Sequence, residues 1–416
     1  MIARNEYLDC LTSFCNKQLI KVVTGIRRCG KSTLLELFRG ELLKSGVLEQ
    51  QITAINFEDA EFEDLMERKA LYNYIKERII PDRMNYIFLD EIQHVDEWQR
   101  VVDGLFIKKN CDVYITGSNA YLLSGELATL LSGRYVEIKM LPLSFAEYLS
   151  TFPDRTDLPG KYRAYLVNSS FPYTLELNKA KDIRAYLDGI YTSVVLKDVV
   201  KRKKIADVSM LESVIRFMFD NIGNICNPGK IANTLTSSGR KISVHTVESY
   251  LSALCDSFIL YKTGRYDIKG RQYLKTGEKY YIADVGLRYY LLGSRKADMG
   301  RSLENVVYLE LLRRGYEVRI GKVGNTEVDF IAVNENGIEY YQVALTVRDE
   351  NTLARELGPL DCISDHNPKF LLTMDDDPEA SHNGIRQVYA LNWLLPPGSA
   401  GVKSDALMNF TNVTEL

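Results

Sequence analysis

The feature that most restricts the fold is an eight-residue segment, GIRRCGKS, at residues 25–32. It follows a β-branched run, Ile20–Thr24, and opens a helical pattern over Ser32–Lys44. The segment matches the pattern G-x-x-x-x-G-K-[ST], in which glycines let successive backbone N–H groups point at phosphate oxygens. The dipole of the following helix adds to the attraction for an anion. The sequence therefore predicts a phosphate-binding loop between a strand and a helix.

Several positions of this loop have a predicted task. Lys31 is predicted to place its ammonium group at the β- and γ-phosphates of ATP, and the Ser32 hydroxyl to bind Mg²⁺. Arg27 and Arg28 contact either the nucleotide or the carboxylates of a partner. Cys29 is interpreted as a small side chain that fills the loop, with a thiol of lowered pKa beside Lys31 as the alternative. The predicted nucleotide contacts are Gly25, Ile26, Arg27, Arg28, Cys29, Gly30, Lys31, Ser32 and Thr33.

A second apolar run, Tyr86–Leu89, ends in two carboxylates, Asp90 and Glu91. The carboxyl ends of buried parallel strands form the edge of the sheet where ligands bind. Asp90 is therefore predicted to hold Mg²⁺ through water, and Glu91 to act as general base toward the attacking water. The alternative is a plain strand that ends in two solvated acids, which its position downstream of the loop disfavours.

A further strand, Ile52–Phe57, separates these two segments in the sequence. This order predicts an α/β fold with the parallel sheet of P-loop NTPases of the ASCE type. That type has an extra strand between the loop strand (Walker A) and the acidic strand (Walker B), and a catalytic glutamate. The next predicted strand, Val113–Thr116, precedes Asn119, which is predicted to orient water near the γ-phosphate. Ser118 is the alternative, and a turn-forming Ser-Asn pair is the non-catalytic interpretation.

An arginine is the remaining requirement, because phosphoryl transfer develops charge on the equatorial oxygens. Arg134, just before the predicted strand Val136–Met140, is the candidate finger or sensor, from its own chain or from a neighbouring one. A surface arginine at the start of a strand is the equally weighted alternative. On the hypothesis that the finger comes from a neighbour, hydrolysis by the isolated chain is expected to be slow.

Six strings carry a family resemblance: GIRRCGKSTLL, FLDEIQHVDEWQRVV, TGSNAYLLSGELATLLSGRYVEIKMLPLSFAEYL, ENVVYLELLRRGYEV, EVDFIA and YYQVA. Together they resemble a family of prokaryotic AAA-type P-loop ATPases, over nearly the whole chain to about Leu395. The resemblance implies ATP binding and hydrolysis. It also implies a winged-helix segment and a C-terminal domain similar to restriction endonucleases of the PD-(D/E)XK type. It implies no particular cellular process.

The middle of the chain has its own helix signals. Asn227-Pro228 predicts one helix start and Ser243 another, with a turn at Ser237–Gly239 between them. Helix, glycine turn and helix are typical of a helix-turn-helix, and the basic stretch Phe258–Lys279 resembles a wing. Duplex DNA is therefore a candidate partner. A protein partner is the alternative, because Glu248 on the second helix disfavours phosphate.

The C-terminal region offers an incomplete nuclease pattern. A PD-(D/E)XK site needs carboxylates for Mg²⁺ and a lysine near the attacking water. Glu304, on a predicted helix, and Asp329, on an apolar strand, can supply two carboxylates. Gln342-Val343-Ala344 stands where Glu-x-Lys is expected. The sequence therefore predicts a degenerate site of Glu304, Asp329 and Gln342, with the fold retained and cleavage lost, or a weak metal site at Gln342.

Composition places the chain among ordinary globular proteins, with 46% hydrophobic and 26% charged residues. Seven cysteines without a Cys-x-x-Cys pair and four dispersed histidines indicate reduced thiols and disfavour a zinc site. The N-terminus lacks the apolar region of a signal peptide, and no run approaches the length of a membrane helix. We therefore expect a cytoplasmic protein with no membrane partner.

These patterns predict five segments. They are a P-loop ATPase domain over 1–150, a helical connector over 151–205, a winged helix over 206–285, an α/β restriction-endonuclease-like domain over 286–395 and a flexible tail over 396–416. Three functions stay open. The first is an ATPase that acts on DNA. The second is a nucleotide-gated switch that a protein partner or a second copy of the chain reads. The third, which the missing lysine disfavours, is an ATP-regulated nuclease.

Overall fold

The computed structural model describes residues 2–118, 120, 131, 133–200, 205–293 and 298–396. These residues belong to two compact units. The first comprises residues within 1–143, 165–265 and 274–295, and the second comprises residues within 144–164, 266–273 and 296–416. The predicted division into five segments stays a prediction. No helix among the described residues has both the length and the apolar character needed to cross a membrane.

A five-stranded parallel sheet forms the centre of the first unit, in the order β2-β3-β4-β1-β5. Because β4 lies between β1 and β3, the predicted ASCE arrangement is confirmed. The predicted strands agree with the observed ones to within two residues at each end. The strands are β1 (Ile20–Thr24), β2 (Ile52–Asn56), β3 (Asn85–Asp90), β4 (Cys111–Gly117) and β5 (Tyr135–Lys139).

Both faces of this sheet are buried, as expected for parallel strands covered by helices. Alternate residues of β3 belong to different cores: Phe88 packs with Tyr114 and Phe38, whereas its neighbours Ile87 and Leu89 join a second cluster. This double burial explains why the strands read as continuous apolar runs in the sequence. The covering helices are α1 (Asn5–Phe14), α2 (Lys31–Lys44), α3 (Arg68–Arg78) and α4 (Trp98–Phe106).

The segment between β2 and β3 contains two helical elements. A 3₁₀ segment covers Ala60–Leu65, and α3 begins only at Arg68. The break has a local cause, because the Glu67 carboxylate accepts a hydrogen bond of 3.1 Å from the Ala70 backbone N–H. A side chain that satisfies a free N–H group at a helix start fixes the boundary there.

Helices predominate after the sheet. Two predicted helix starts are confirmed by side-chain caps. Asn227 Oδ1 accepts a hydrogen bond of 2.7 Å from Gly229 N–H, and Ser243 Oγ accepts one of 3.0 Å from Thr246 N–H. The elements are α5 (Phe145–Ser150), α6 (Leu158–Asn168), α7 (Ala180–Ile190), a π-helix (Tyr191–Asp198), α8 (Val208–Asp220), β6 (Ile225–Cys226), α9 (Pro228–Ser237), α10 (Val244–Asp256), β7 (Leu260–Asp267), β8 (Gln272–Ile282) and α11 (Val285–Leu292).

The second unit contains a mixed sheet. Its strands follow the order β13-β14-β12-β11-β10-β9, antiparallel from β9 to β11 and parallel from β11 through β12 to β14. The elements are α12 (Met299–Arg313), β9 (Glu317–Val323), β10 (Thr326–Asn334), β11 (Gly337–Ala344), α13 (Glu350–Asp361), β12 (Lys369–Thr373), β13 (Ala380–His382), β14 (Ile385–Tyr389) and α14 (Ala390–Trp393).

A buried ion pair links β1 to β4. Lys21 and Asp112 are fully buried, and the lysine ammonium group contacts Asp112 Oδ1. The second carboxylate oxygen accepts hydrogen bonds of 2.8 Å from Asn16 N–H and from the Tyr114 hydroxyl. Both carboxylate oxygens of Asp112 therefore accept hydrogen bonds. Such a pair is costly to break, because removal of one partner leaves an uncompensated charge in the interior.

We expect Asp112→Asn to destabilise the first unit by about 3–5 kcal/mol, the range for breaking a buried pair. The measurement is amide hydrogen exchange of β1 and β4, followed by mass spectrometry. Glu49→Gln is the control, since its ion pair with Arg39 is exposed and should be worth about 1 kcal/mol or less. Equal effects of the two substitutions on amide exchange would contradict the stabilising role given to the buried Lys21–Asp112 pair.

Candidate functional site

The loop at residues 25–32 is held by the close approach of Gly25 to the chain that follows β5. Gly25 has a φ of 150°, and a Cβ atom at this position would lie 2.1 Å from the Met140 carbonyl oxygen. Gly30, with a φ of 104°, precedes α2 in a left-handed conformation. Both glycines of the pattern are thus required by backbone geometry, independently of any ligand.

Buried groups fix the rest of the loop. Ile26 and Cys29 are fully buried, so their side chains point into the protein. Burial raises the pKa of the Cys29 thiol, although the positive charges of Lys31 and Arg4 act in the opposite direction. Cys29 is therefore a buried side chain inside the loop, and the interpretation of it as a small loop filler stays a prediction.

Arg4 clamps the loop from outside the motif. Its guanidinium donates a hydrogen bond of 3.2 Å to the Cys29 carbonyl and one of 2.7 Å to the Leu141 carbonyl. The Arg4 side chain is buried. It thereby ties the loop to the segment after β5. No sequence signal could have identified Arg4, because a single arginine near the N-terminus matches no motif.

Lys31 begins α2 and is 4% exposed. Its ammonium group lies 3.2 Å from the Gly25 carbonyl and 3.4 Å from Glu91 Oε1. The lysine of the loop and the glutamate of the acidic strand are therefore direct neighbours, as the sequence predicts for two parts of one site.

Asp90 ends β3 and lies within reach of two hydroxyl groups. Ser32 and Thr116 both donate hydrogen bonds to its carboxylate. Burial raises the pKa of Asp90, while these two hydrogen bonds act to lower it. The hydroxyl and the carboxylate predicted to bind Mg²⁺ are thus adjacent, and both offer the oxygen atoms that Mg²⁺ prefers.

Glu91 has a φ of 52°, in the left-handed region. Burial acts to raise the pKa of Glu91, but the Lys31 charge and hydrogen bonds from Gln93 and Ser118 outweigh it, so its pKa lies below the usual value. Glu91 is consequently ionised at neutral pH. Ser118, the alternative to Asn119 as a polar group after β4, contacts the predicted base directly; Asn119 lies outside the described residues.

A cavity of about 950 Å³ extends from this loop within the first unit. Arg27 and Arg28 lie on its loop side together with Lys31, Ser32 and Thr33. Arg27 is paired with Glu58, an acid that the sequence analysis did not single out. Another wall comes from a 3₁₀ segment, Pro172–Glu176, and from α7 with the start of the π-helix.

Two aromatic rings, Tyr173 and Tyr186, form part of that wall. Their centroids are 5.1 Å apart and their planes are tilted by 44°. Burial raises the pKa of the Tyr186 hydroxyl, whereas the charge of Arg28 lowers it. The cavity thus joins a cationic loop to an aromatic wall. The aromatic wall is a tertiary feature that no local pattern indicates.

Arg134 does not lie beside the loop of its own chain. Its carbonyl accepts a hydrogen bond of 2.8 Å from Ile20 N–H, which places Arg134 at the amino-terminal edge of the sheet. The phosphate-binding loop follows the opposite end of β1. The Arg134 guanidinium is paired with Asp103 and lies 5.5 Å from the centre of the Phe106 ring. The prediction that Arg134 acts as a finger or sensor within its own chain is therefore corrected. Its action on a neighbouring chain stays a prediction.

Two of the three predicted nuclease-like residues, Asp329 and Gln342, are joined by hydrogen bonds between neighbouring strands. Asp329 Oδ2 accepts 2.9 Å from Val343 N–H, and Gln342 Oε1 accepts 3.3 Å from Asp329 N–H. Gln342 also donates 2.9 Å to Glu356. Glu304 lies on α12. Across the described ranges, no group of three or more His, Cys, Asp or Glu side chains is arranged to hold a metal ion.

The parallel sheet, the glycine loop with its buried lysine and the acids at the end of β3 define a P-loop ATPase domain of the AAA type. The family model of the AAA domain matches residues 17–149, and that of a domain of unknown function, DUF8612, matches residues 159–298. A Walker-type ATPase of Pyrococcus abyssi has a similar structure, with 15% identity, a TM-score of 0.49 and coverage of 70% of this chain and 96% of that one.

Two curated relatives match most of the chain. An uncharacterized protein of Haemophilus influenzae is 42% identical over 399 residues, which is 95% of this chain and 99% of the relative. An uncharacterized protein of Methanocaldococcus jannaschii is 30% identical over 351 residues, which is 80% of this chain and 76% of the relative. The chain belongs to the family of these two proteins.

We expect Gly25→Ala to destabilise the first unit by about 3 kcal/mol or more, because a side chain there is strained and collides with backbone. Gly40→Ala is the matched control in α2, where an added Cβ meets no atom within 4 Å. It should stabilise by about 0.5–1 kcal/mol. Urea denaturation followed by circular dichroism measures both, and similar midpoints for the two variants would refute the role given to Gly25.

Proposed function

We propose that the chain binds ATP with Mg²⁺ and hydrolyses it to ADP and phosphate. One observation carries the proposal: Lys31, Glu91 and the Ser32–Asp90 pair converge where the loop opens into a large cavity. A buried cation and backbone N–H groups suit a triphosphate, and two acids beside it suit a metal and a water molecule.

The oxygen donors Ser32 and Asp90 fit Mg²⁺, since this ion takes hydroxyl and carboxylate ligands. When bound, Mg²⁺ neutralises charge on the phosphate oxygens. The chain itself supplies the other functions. Lys31 places a positive charge at the phosphates, and the clamped loop keeps its N–H groups oriented.

Glu91 is proposed as the general base. Its lowered pKa keeps it ionised at neutral pH, so it can accept a proton from water. Ser118 and Gln93 hold the carboxylate in place. The Lys31–Glu91 contact of 3.4 Å is proposed to weaken when a triphosphate attracts the lysine, which frees the carboxylate for water.

The aromatic wall supports a nucleotide over a simple polyphosphate as the ligand. Tyr186 lines the same cavity as the loop, and an aromatic ring can stack on a base. Arg28 beside Tyr186 adds a cation close to the same wall. We therefore propose that the base contacts Tyr173 and Tyr186.

Coupling to duplex DNA is proposed as a second level of function. The order α8-β6-α9-α10-β7-β8, with β6 antiparallel to β8, supports a winged helix. The exposed residues of α10 include His245, Glu248 and Ser249. In the hairpin, Lys262 is paired with Glu278, which reduces the charge available for phosphate. A protein partner or a second copy of the chain, reading the nucleotide state, is the competing proposal.

The order α12-β9-β10-β11-α13-β12 supports a restriction-endonuclease-like fold for the second unit. The hydrogen bonds of Asp329 and Gln342 support a structural use of these residues. Nuclease activity is not part of the proposal.

We expect Glu91→Gln to lower ATP turnover by about 100-fold or more while it retains nucleotide binding, because it removes the base and little else. Lys31→Ala should abolish saturable ATP binding. Phosphate release measures turnover, and calorimetry with ATP and Mg²⁺ measures binding. Unchanged binding by Lys31→Ala would refute the site.

The same assay separates the partner proposals. Faster turnover with duplex DNA favours a DNA-coupled ATPase, and tightly retained ADP without such stimulation favours a switch. A turnover per chain that rises with protein concentration supports an arginine finger from a neighbouring copy, such as Arg134. A turnover independent of concentration counts against it.

For the base contact, we expect Tyr186→Ala to weaken ATP binding by about 10-fold, since stacking of a base on an aromatic ring contributes about 1–3 kcal/mol. Tyr186→Phe keeps the ring and should bind like the wild type. Inorganic tripolyphosphate, which has no base, should bind all three proteins equally. A parallel loss of tripolyphosphate binding in Tyr186→Ala would show that the variant damages the loop instead.

A further inference from the structure

Among the described residues, Thr116 contacts both acids at the end of β3, Asp90 and Glu91, through one side-chain atom. Its hydroxyl donates a hydrogen bond to Asp90 Oδ1 and accepts one of 2.9 Å from the Glu91 backbone N–H. The donor and acceptor roles of one hydroxyl are therefore both used.

The sheet places Thr116 at this point. β4 lies between β1 and β3, so a residue near its carboxyl end reaches both the loop strand and the acidic strand. Thr116 is in register with Val23 on β1, and its neighbour Ile115 is in register with Leu89 on β3. The next residue of β3 is Asp90 itself.

A hydroxyl at this position needs a reason, because it is fully buried. The preceding β4 residues, from Val113 to Ile115, are buried and apolar, and Thr116 is 0% exposed. A buried hydroxyl costs free energy unless it forms hydrogen bonds. Both of its hydrogen bonds go to the acidic pair, Asp90 and Glu91. The buried hydroxyl is therefore explained by its contacts with these two residues.

Glu91 needs an external restraint. Its φ of 52° lies in the left-handed region, which is unfavourable for a residue with a side chain. Such a conformation persists only where surrounding contacts hold it. The hydrogen bond from Glu91 N–H to Thr116 is a contact at the strained residue itself.

We propose that Thr116 is a positioning residue for ATP hydrolysis: one hydroxyl fixes the Asp90 carboxylate and the Glu91 main chain relative to each other. The metal-binding acid and the general base then keep one relative geometry during turnover. This inference rests on the proposed ATPase function, and it assigns no contact between Thr116 and the nucleotide.

The test uses two variants that separate the hydroxyl from the shape. Thr116→Val keeps the β-branched shape and removes the hydroxyl, whereas Thr116→Ser keeps the hydroxyl and loses a methyl group. We expect Thr116→Val to lower kcat by about 10- to 100-fold, the range for loss of a partner that orients a ligand group. Its KM for ATP should change by less than about 3-fold, because the loop is intact. Thr116→Ser should restore kcat to within about 5-fold of the wild type.

A kcat of Thr116→Val near the wild-type value would overturn the proposal, and so would a larger loss of kcat in Thr116→Ser than in Thr116→Val. The second pattern would show that packing, and not the hydroxyl, matters. Thermal unfolding of both variants checks that each is folded.

A second measurement does not depend on turnover. Amide exchange at Glu91, resolved by overlapping peptides, should be faster in Thr116→Val and unchanged in Thr116→Ser. If the wild type binds ATP but shows no hydrolysis, the proposed ATPase function fails, and this exchange still decides the positioning role. Equal exchange in the wild type and Thr116→Val would overturn that role.

Discussion

The site depends on one close approach, between the backbone of Gly25 and the carbonyl of Met140. Because no side chain fits between them, the phosphate-binding loop is pressed against the end of β5, and Arg4 adds two hydrogen bonds across the same junction. The loop is therefore shaped by the sheet. A preformed loop can keep its N–H groups oriented without a ligand to order them, which reduces the entropy lost on binding.

Electrostatics within the site follow from burial. Lys31 is removed from water and lies beside Glu91, so each charge compensates the other. Asp90 is held by the hydroxyl groups of Ser32 and Thr116, and burial raises its pKa although these hydrogen bonds and the Lys31 charge act to lower it. Two adjacent acids thus have opposite pKa shifts, which is a common way to give neighbouring carboxylates different tasks.

The sequence could predict the sheet, the loop and the two acids because each is a local pattern: a buried apolar strand, a glycine spacing, a strand end. It could not predict Arg4 or Tyr186, since these residues reach the site only through tertiary packing. Thr116 was within a predicted strand, but its role depends on β4 lying beside β3. The idea that Arg134 acts on the nucleotide of its own chain could have been rejected from the sequence. Arg134 precedes a parallel strand, and the start of such a strand lies at the sheet edge opposite to its end.

The cavity has a consequence for where this protein can be divided. The AAA domain model covers residues 17–149, whereas Arg4 precedes this range and the wall from Pro172 to Ser193 follows it. A fragment trimmed to the matched boundaries would keep the loop and both acids. It would lose the clamp on the loop and the aromatic wall of the cavity. The cavity beside the loop is therefore a property of the longer polypeptide, to which the second matched region, residues 159–298, contributes part of the lining.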